Sequence, residues 1–145
     1  MDMAQVPGFT TFAIFSFALT LNLMFLSAFT GAVRARTHTP AISDDAKMVG
    51  AQSTGAIPEE LQRVLNAHRN ALENIGPFLP MSLAYTLSGV PAHFVAIFMG
   101  IFSLGRWAHS LFYLQAMQPY RSISYGISTL AFVGMLIHLL MHVLG

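Results

Sequence analysis

The segment FTTFAIFSFALTLNLMFLSAFTGAV, Phe9 to Val33, contains no ionisable side chain. At about 1.5 Å of rise per residue, a helix of that length exceeds a bilayer hydrocarbon core of roughly 30 Å. Asn22 and scattered Ser and Thr are its polar interruptions; Pro7-Gly8 precedes it and Arg34 closes it. The segment lacks the basic flank and small-residue cleavage site of a secretory leader and is too long for one, so it is expected to remain in the mature protein.

Beyond Val33 the chain turns polar from Arg34 to Pro58, with Pro40, Asp44, Asp45, Lys47, Gly50 and Gly55. That composition reads as an exposed connection or a loop over the mouth of a site. A second helix is expected from residue 59 to 88, opened by Glu59 and Glu60, where a helix N-terminus favours acids. Its first half is amphipathic; its second half is apolar and carries Pro77 and Pro80, which predict a bend. Gly89-Val90-Pro91 reads as a tight turn, followed by helices at about 92–115 and 121–144. The fold class expected is therefore an all-α membrane protein, one domain over residues 1–145 built as a four-transmembrane-helix bundle.

Composition supports this reading. Of the 145 residues 54% are hydrophobic and only 9% charged, with a mean hydropathy of +0.59. Charged residues make up about a quarter of an average soluble domain, so a water-facing surface cannot be clothed. The net charge of +1 suggests no nucleic-acid partner. Cysteine is absent, which excludes disulfides, thiolate metal ligands and a thiol nucleophile of the protein's own. All seven Lys and Arg fall on, or in the half of a helix nearest, one side. The positive-inside rule makes that side cytoplasmic and places both termini opposite.

Ionisable residues at membrane depth are costly and are functional candidates by default. Asn66, Arg69, Asn70, Glu73 and Pro77 share a face of the second helix at i, i+3, i+4, i+7, i+11, with Arg69 and Glu73 spaced to pair. Arg106, His109, Ser110 and Tyr113 share a face of the third. Arg121, Ser122 and Tyr125 align at the start of the fourth, where free N–H groups and the positive dipole end favour an anion, including a thiolate. Each cluster has a plainer reading: a structural ion pair, a satisfied core histidine, a capped helix start with a snorkelling arginine. Together, however, Arg34, Arg69, Arg106 and Arg121 face one close carboxylate, Glu73, with Asp44 and Asp45 on the loop, and the surplus implies a bound anion. A metal is not expected: of six histidines only His138 and His142 have i, i+4 ligand spacing, with no carboxylate nearby.

The stretches RVLNAHRNALENIGPFL (Arg63 to Leu79), GRWAHSLFYL (Gly105 to Leu114), RSISY (Arg121 to Tyr125) and GAVRAR (Gly31 to Arg36) resemble the MAPEG superfamily, membrane-associated proteins in eicosanoid and glutathione metabolism. The similarity is strongest to its prostaglandin E synthase and microsomal glutathione transferase branches, and its segments run in order over nearly the whole chain. It implies a homotrimer of four-helix subunits with glutathione bound between neighbours on the cytoplasmic side. Carried over by residue, Arg34, Arg69, Asn70, Glu73, His109, Tyr113, Arg121, Ser122 and Tyr125 would line that site. Arg121 and Ser122 would hold the thiolate, and Arg106 would be structural or stand at the entrance. Glutathione suits the residues: two carboxylates for arginines, an amine for Glu73, amides for asparagine and a thiol for Arg121 and Ser122. Asn66 departs from the pattern, standing where many relatives place an arginine.

The expected activity is glutathione-dependent and enzymatic. The thiolate would conjugate lipophilic electrophiles arriving from the bilayer, reduce lipid hydroperoxides, or isomerise an endoperoxide. The competing reading is a non-enzymatic membrane scaffold like the lipoxygenase-activating member of the superfamily, which would be expected to lose much of the glutathione set. A transporter or channel would need a polar stripe through the whole membrane, whereas the polar residues here crowd the cytoplasmic half.

Overall fold

A computed structural model describes residues 6–40 and 56–145. The loop aspartates Asp44 and Asp45 lie outside the described residues. Four α-helices make up the described chain: α1, Phe9–Arg36; α2, Glu59–Leu87; α3, Ala92–Leu114; and α4, Tyr120–Leu144. α1 continues past the expected Val33 through Arg36, because Arg34 and Arg36 in its last turn complement the C-terminal end of the helix dipole. Arg34 is thus a helical residue rather than part of the connection. Pro77 and Pro80 sit within one uninterrupted α2.

α3 is the centre of the bundle and packs against each of the other three helices, most extensively against α4. α1 pairs chiefly with α2, and α4 meets α2 only lightly. Each helix buries a stripe set by its periodicity. On α1 the buried positions are Leu19, Asn22, Leu26, Thr30 and Val33, one face at helical spacing. The core is apolar and aromatic, centred on Phe78 stacked against Phe102 with ring centroids 3.5 Å apart. Of its polar exceptions, Thr30, Ser82, Thr86 and Ser128 bond back to carbonyls of their own helices, whereas Ser110 donates to Asn22 Oδ1 at 3.1 Å, tying α3 to α1.

Two glycines allow the closest approaches. Gly8 caps α1 in the left-handed region at φ 79°, and a Cβ there would lie 2.9 Å from Val95 Cγ2 of α3. On α3, a Cβ at Gly105 would meet Ser128 Cβ at 3.0 Å and the Ser124 carbonyl at 3.2 Å. The α3–α4 seam is therefore built of small residues, as in helix pairs that associate within lipid.

The outer surface is apolar: Phe17, Leu104 and Leu130 are 66%, 72% and 73% exposed. α1, α3 and α4 are long and apolar enough to cross a membrane. α2 does not reach that composition, so composition alone supports three of the four expected spans. The reason lies in its charged and amide-rich first half, Glu59 to Glu73.

Candidate functional site

Residues from α2, α3 and α4 converge on one open cleft of about 260 Å³, lined by Asn70, His109, Tyr113, Arg121, Ser122 and Tyr125. Its existence follows from the packing: α3 and α4 are held tightly together at Gly105, while α2 and α4 barely touch. A trough remains between α2 and the α3–α4 pair, at the end where α3 finishes and α4 starts.

Each lining side chain is fixed by a neighbour. His109 donates from Nδ1 to the Arg121 carbonyl at 2.9 Å, which sets the tautomer and joins the end of α3 to the start of α4. Its ring lies 5.6 Å from that of Tyr113 and 5.7 Å from that of Tyr125. The Arg121 guanidinium sits over the Tyr113 ring, 4.5 Å from its centroid, a cation–π arrangement that leaves its N–H edge available. On α2, Asn70 faces Arg106, whose Nη2 donates to Asn70 Oδ1 at 2.6 Å.

Arg106 is fully buried, and among the described residues its Nε and Nη1 have no hydrogen-bond partner. It stands behind the cleft, 5.9 Å from the Tyr125 ring centroid, and bonds α3 to α2 through a neutral amide. The sequence marked this arginine without revealing that Asn70 receives it, since the two are joined only by tertiary packing. Gln118 escaped the sequence reading altogether. Oriented to satisfy its neighbours, its amide oxygen accepts from Arg121 Nε at 3.1 Å and Nη2 at 2.5 Å. Its amide nitrogen donates to Ser122 Oγ at 3.1 Å. The spacing Q-x-x-R-S was the available signal.

Other expected residues stay outside the cleft in this single chain. Arg34 turns back to the Thr39 and Pro40 carbonyls at 3.5 and 3.3 Å. Arg69 and Glu73 are exposed on the flank of α2 and do not pair. The ion pairs among the described residues are Arg36–Glu60 and Arg63–Glu59. Acid before base is the better i, i+4 order on a helix, and Glu59–Arg63 has it whereas Arg69–Glu73 runs in reverse. A second correction concerns the start of α4. The Arg121 and Ser122 backbone N–H groups are already bonded, to the carbonyls of Met117 at 3.1 Å and Pro119 at 3.0 Å. Any anion in the cleft therefore meets side-chain donors, not free backbone N–H groups.

His138 and His142, the spaced pair near the C-terminus, are engaged in joining α4 to α2: His138 Nδ1 with the Tyr85 hydroxyl at 2.8 Å, His142 Nε2 with the Ser88 carbonyl at 3.1 Å. Trp107 donates to the Ala18 carbonyl at 3.0 Å and packs α3 on α1.

The chain is similar to known proteins over most of its length. Human prostaglandin E synthase is 32% identical over 136 residues, covering 92% of this chain and 89% of its own length. Rat microsomal glutathione S-transferase 1 is 34% identical over 130 residues, covering 86% and 82% respectively. The profile described as the MAPEG family matches residues 12–141, from the first turn of α1 to the last turn of α4. With that match spanning all four helices and every residue of the cleft, the chain belongs to the MAPEG family.

Proposed function

We propose that this protein is a glutathione-dependent membrane enzyme that holds the glutathione thiol as a thiolate and delivers it to a lipophilic electrophile. The observation that carries the reading is the convergence of Arg121, Ser122, His109, Tyr113, Tyr125 and Asn70 on one cleft. A cation with free N–H groups and an adjacent hydroxyl are the side-chain equipment for stabilising sulfur as an anion. The names of the relatives, a prostaglandin E synthase and a glutathione S-transferase, point the same way.

In this mechanism Arg121 and Ser122 face the sulfur, and the thiol proton leaves to water at the end of the bundle where α3 finishes and α4 starts. For conjugation, the sulfur lone pair forms a bond to an electrophilic carbon as the leaving group departs with its bonding pair. With a hydroperoxide, the lone pair attacks the outer oxygen, the O–O bond breaks and the inner oxygen leaves as the alcohol after taking a proton. A second glutathione then converts the resulting sulfenic acid to the disulfide and water. With an endoperoxide, attack on one oxygen releases the other as an alkoxide that takes a proton. Loss of the C–H proton next to the S-bound oxygen then forms the carbonyl as the S–O bond breaks and returns the thiolate. Each pKa unit by which the site lowers the bound thiol corresponds to about 1.4 kcal/mol of selective thiolate stabilisation.

The single-chain cleft lies near the lower limit of pockets that enclose small ligands, roughly 300 Å³. α2, which lends Asn70 to the cleft, also presents Arg69, Leu72, Glu73, Gly76, Pro77 and Pro80, all exposed along one helical face. A stripe with small residues in a membrane helix suits close packing against another helix. We therefore read the working form as a homotrimer in which neighbours close the cleft and bring Arg34, Arg69 and Glu73 to glutathione. In it α2 crosses the membrane with the other helices, and the arginine-bearing end is cytoplasmic.

The test is purification in detergent, followed by calorimetry with millimolar glutathione and an activity panel of a chloronitrobenzene, a lipid hydroperoxide and an endoperoxide. Uptake of glutathione with turnover of at least one acceptor is expected. Uptake without turnover would instead describe a scaffold, and no uptake would refute the reading.

A further inference from the structure

Gln118 sits in the short link between α3 and α4, and its side chain reaches forward by three and four residues to Arg121 and Ser122. We infer that Gln118 is the positioning residue of the thiolate site: it aims the Arg121 guanidinium and frees the Ser122 hydroxyl proton for the sulfur. The inference rests on the proposed thiolate function and adds to it a residue outside the resemblance.

With its oxygen toward Arg121, the Gln118 amide accepts from Nε and Nη2; reversed, its NH₂ would face those N–H groups donor to donor. In the satisfied orientation the amide N–H takes one lone pair of Ser122 Oγ, at 3.1 Å. A serine hydroxyl that accepts there keeps its single proton to donate elsewhere, and Ser122 lines the cleft. Arg121 is thereby held from two sides, by the amide at its Nε edge and by the Tyr113 ring beneath its plane. Its remaining N–H groups are left for an anion.

The chemical type of the residue matters as much as its reach. A carboxylate would bind Arg121 more strongly but would cancel the positive field a thiolate needs. A neutral amide orients the cation without quenching it. Gln118 is also exposed, so replacing it leaves the core untouched.

The experiment compares wild type, Gln118→Ala and the near-isosteric Gln118→Glu, each carrying bound glutathione, by ultraviolet difference absorbance of the thiolate across pH, with steady-state kinetics alongside. In Gln118→Ala the pH midpoint of thiolate formation is expected to rise and kcat to fall about ten-fold, with KM for glutathione within about two-fold of wild type. In Gln118→Glu the midpoint is expected to rise further than in the alanine variant. A wild-type midpoint in both variants, or a loss confined to KM, would overturn the positioning role while leaving the thiolate function standing. Absence of any thiolate signal in the wild type would overturn both.

Discussion

Arg106 and Arg121 solve the problem of a cation in a largely apolar bundle in opposite ways. Arg121 lies at the mouth of the cleft, braced by Gln118 and Tyr113, with N–H groups to spare. Arg121→Ala should therefore cost catalysis more than capture: kcat for conjugation falls by about 10²-fold or more, as for loss of one preorganised donor to a developing anion, while glutathione affinity by calorimetry drops far less. Equal turnover with wild type would remove it from the chemistry. Arg106 is sealed inside and depends on the Asn70 amide. Asn70→Ala leaves that guanidinium only the long 3.4 Å contact to the backbone carbonyl of residue 70 and should lower stability in detergent by about 2 kcal/mol, the usual worth of a hydrogen bond to a charged group. Adding Arg106→Leu removes the stranded charge, so the double variant should unfold at a higher temperature than Asn70→Ala alone. If the two effects simply add, the coupling read from the 2.6 Å contact is wrong.

At the scale of helices, the α3–α4 seam holds the site together, because α4 carries Arg121, Ser122 and Tyr125 and is held mainly by α3. Gly105→Ala introduces a Cβ 3.0 Å from Ser128 Cβ and 3.2 Å from a backbone carbonyl, so the helices must part. A loss of about 1–3 kcal/mol is expected, with a fall in activity, since the separation moves α4 away from His109. Thermal unfolding and turnover of that variant check both halves. The apolar runs of α1, α3 and α4 were legible because continuous hydrophobicity over that length has few other uses. α2 was harder: its amphipathic first half reads equally as a juxtamembrane or a cavity-lining helix. Periodicity also gathered Asn70, His109, Tyr113, Arg121, Ser122 and Tyr125 as candidates, since i, i+3 and i+4 spacing reports which side chains share a face. It could not report which faces meet. The Arg106–Asn70 bond, the idle Arg69–Glu73 spacing and the spent N–H groups of Arg121 and Ser122 all depend on packing or on turn geometry between helices.

For the molecule as a whole, the proposed trimer makes the outward stripe of α2 a protein surface rather than a lipid surface. Leu72 lies on that stripe and is 49% exposed; Leu130 on α4 is 73% exposed. Tryptophan is apolar enough for lipid but too large for a close helix–helix contact. Leu72→Trp should thus lower the fraction of trimer seen by cross-linking and weaken glutathione uptake together, whereas Leu130→Trp should change neither. A Leu72→Trp protein with an unaltered cross-linking pattern would place the subunit contact elsewhere. The sealed guanidinium of α3 also bears on how the chain enters a bilayer during synthesis. On insertion scales an arginine at a helix centre opposes entry by about 2.5–3.5 kcal/mol, and Arg106, a turn past the middle of α3, carries part of that penalty, so α3 is handicapped as a solitary segment leaving the translocon. Its amide acceptor emerges earlier from the ribosome, on α2, and the tight Gly89 turn delivers both together. In the proposed form in which α2 also spans, biogenesis should accordingly proceed by the partition of α2 and α3 as a hairpin, with α4 following onto a surface already made.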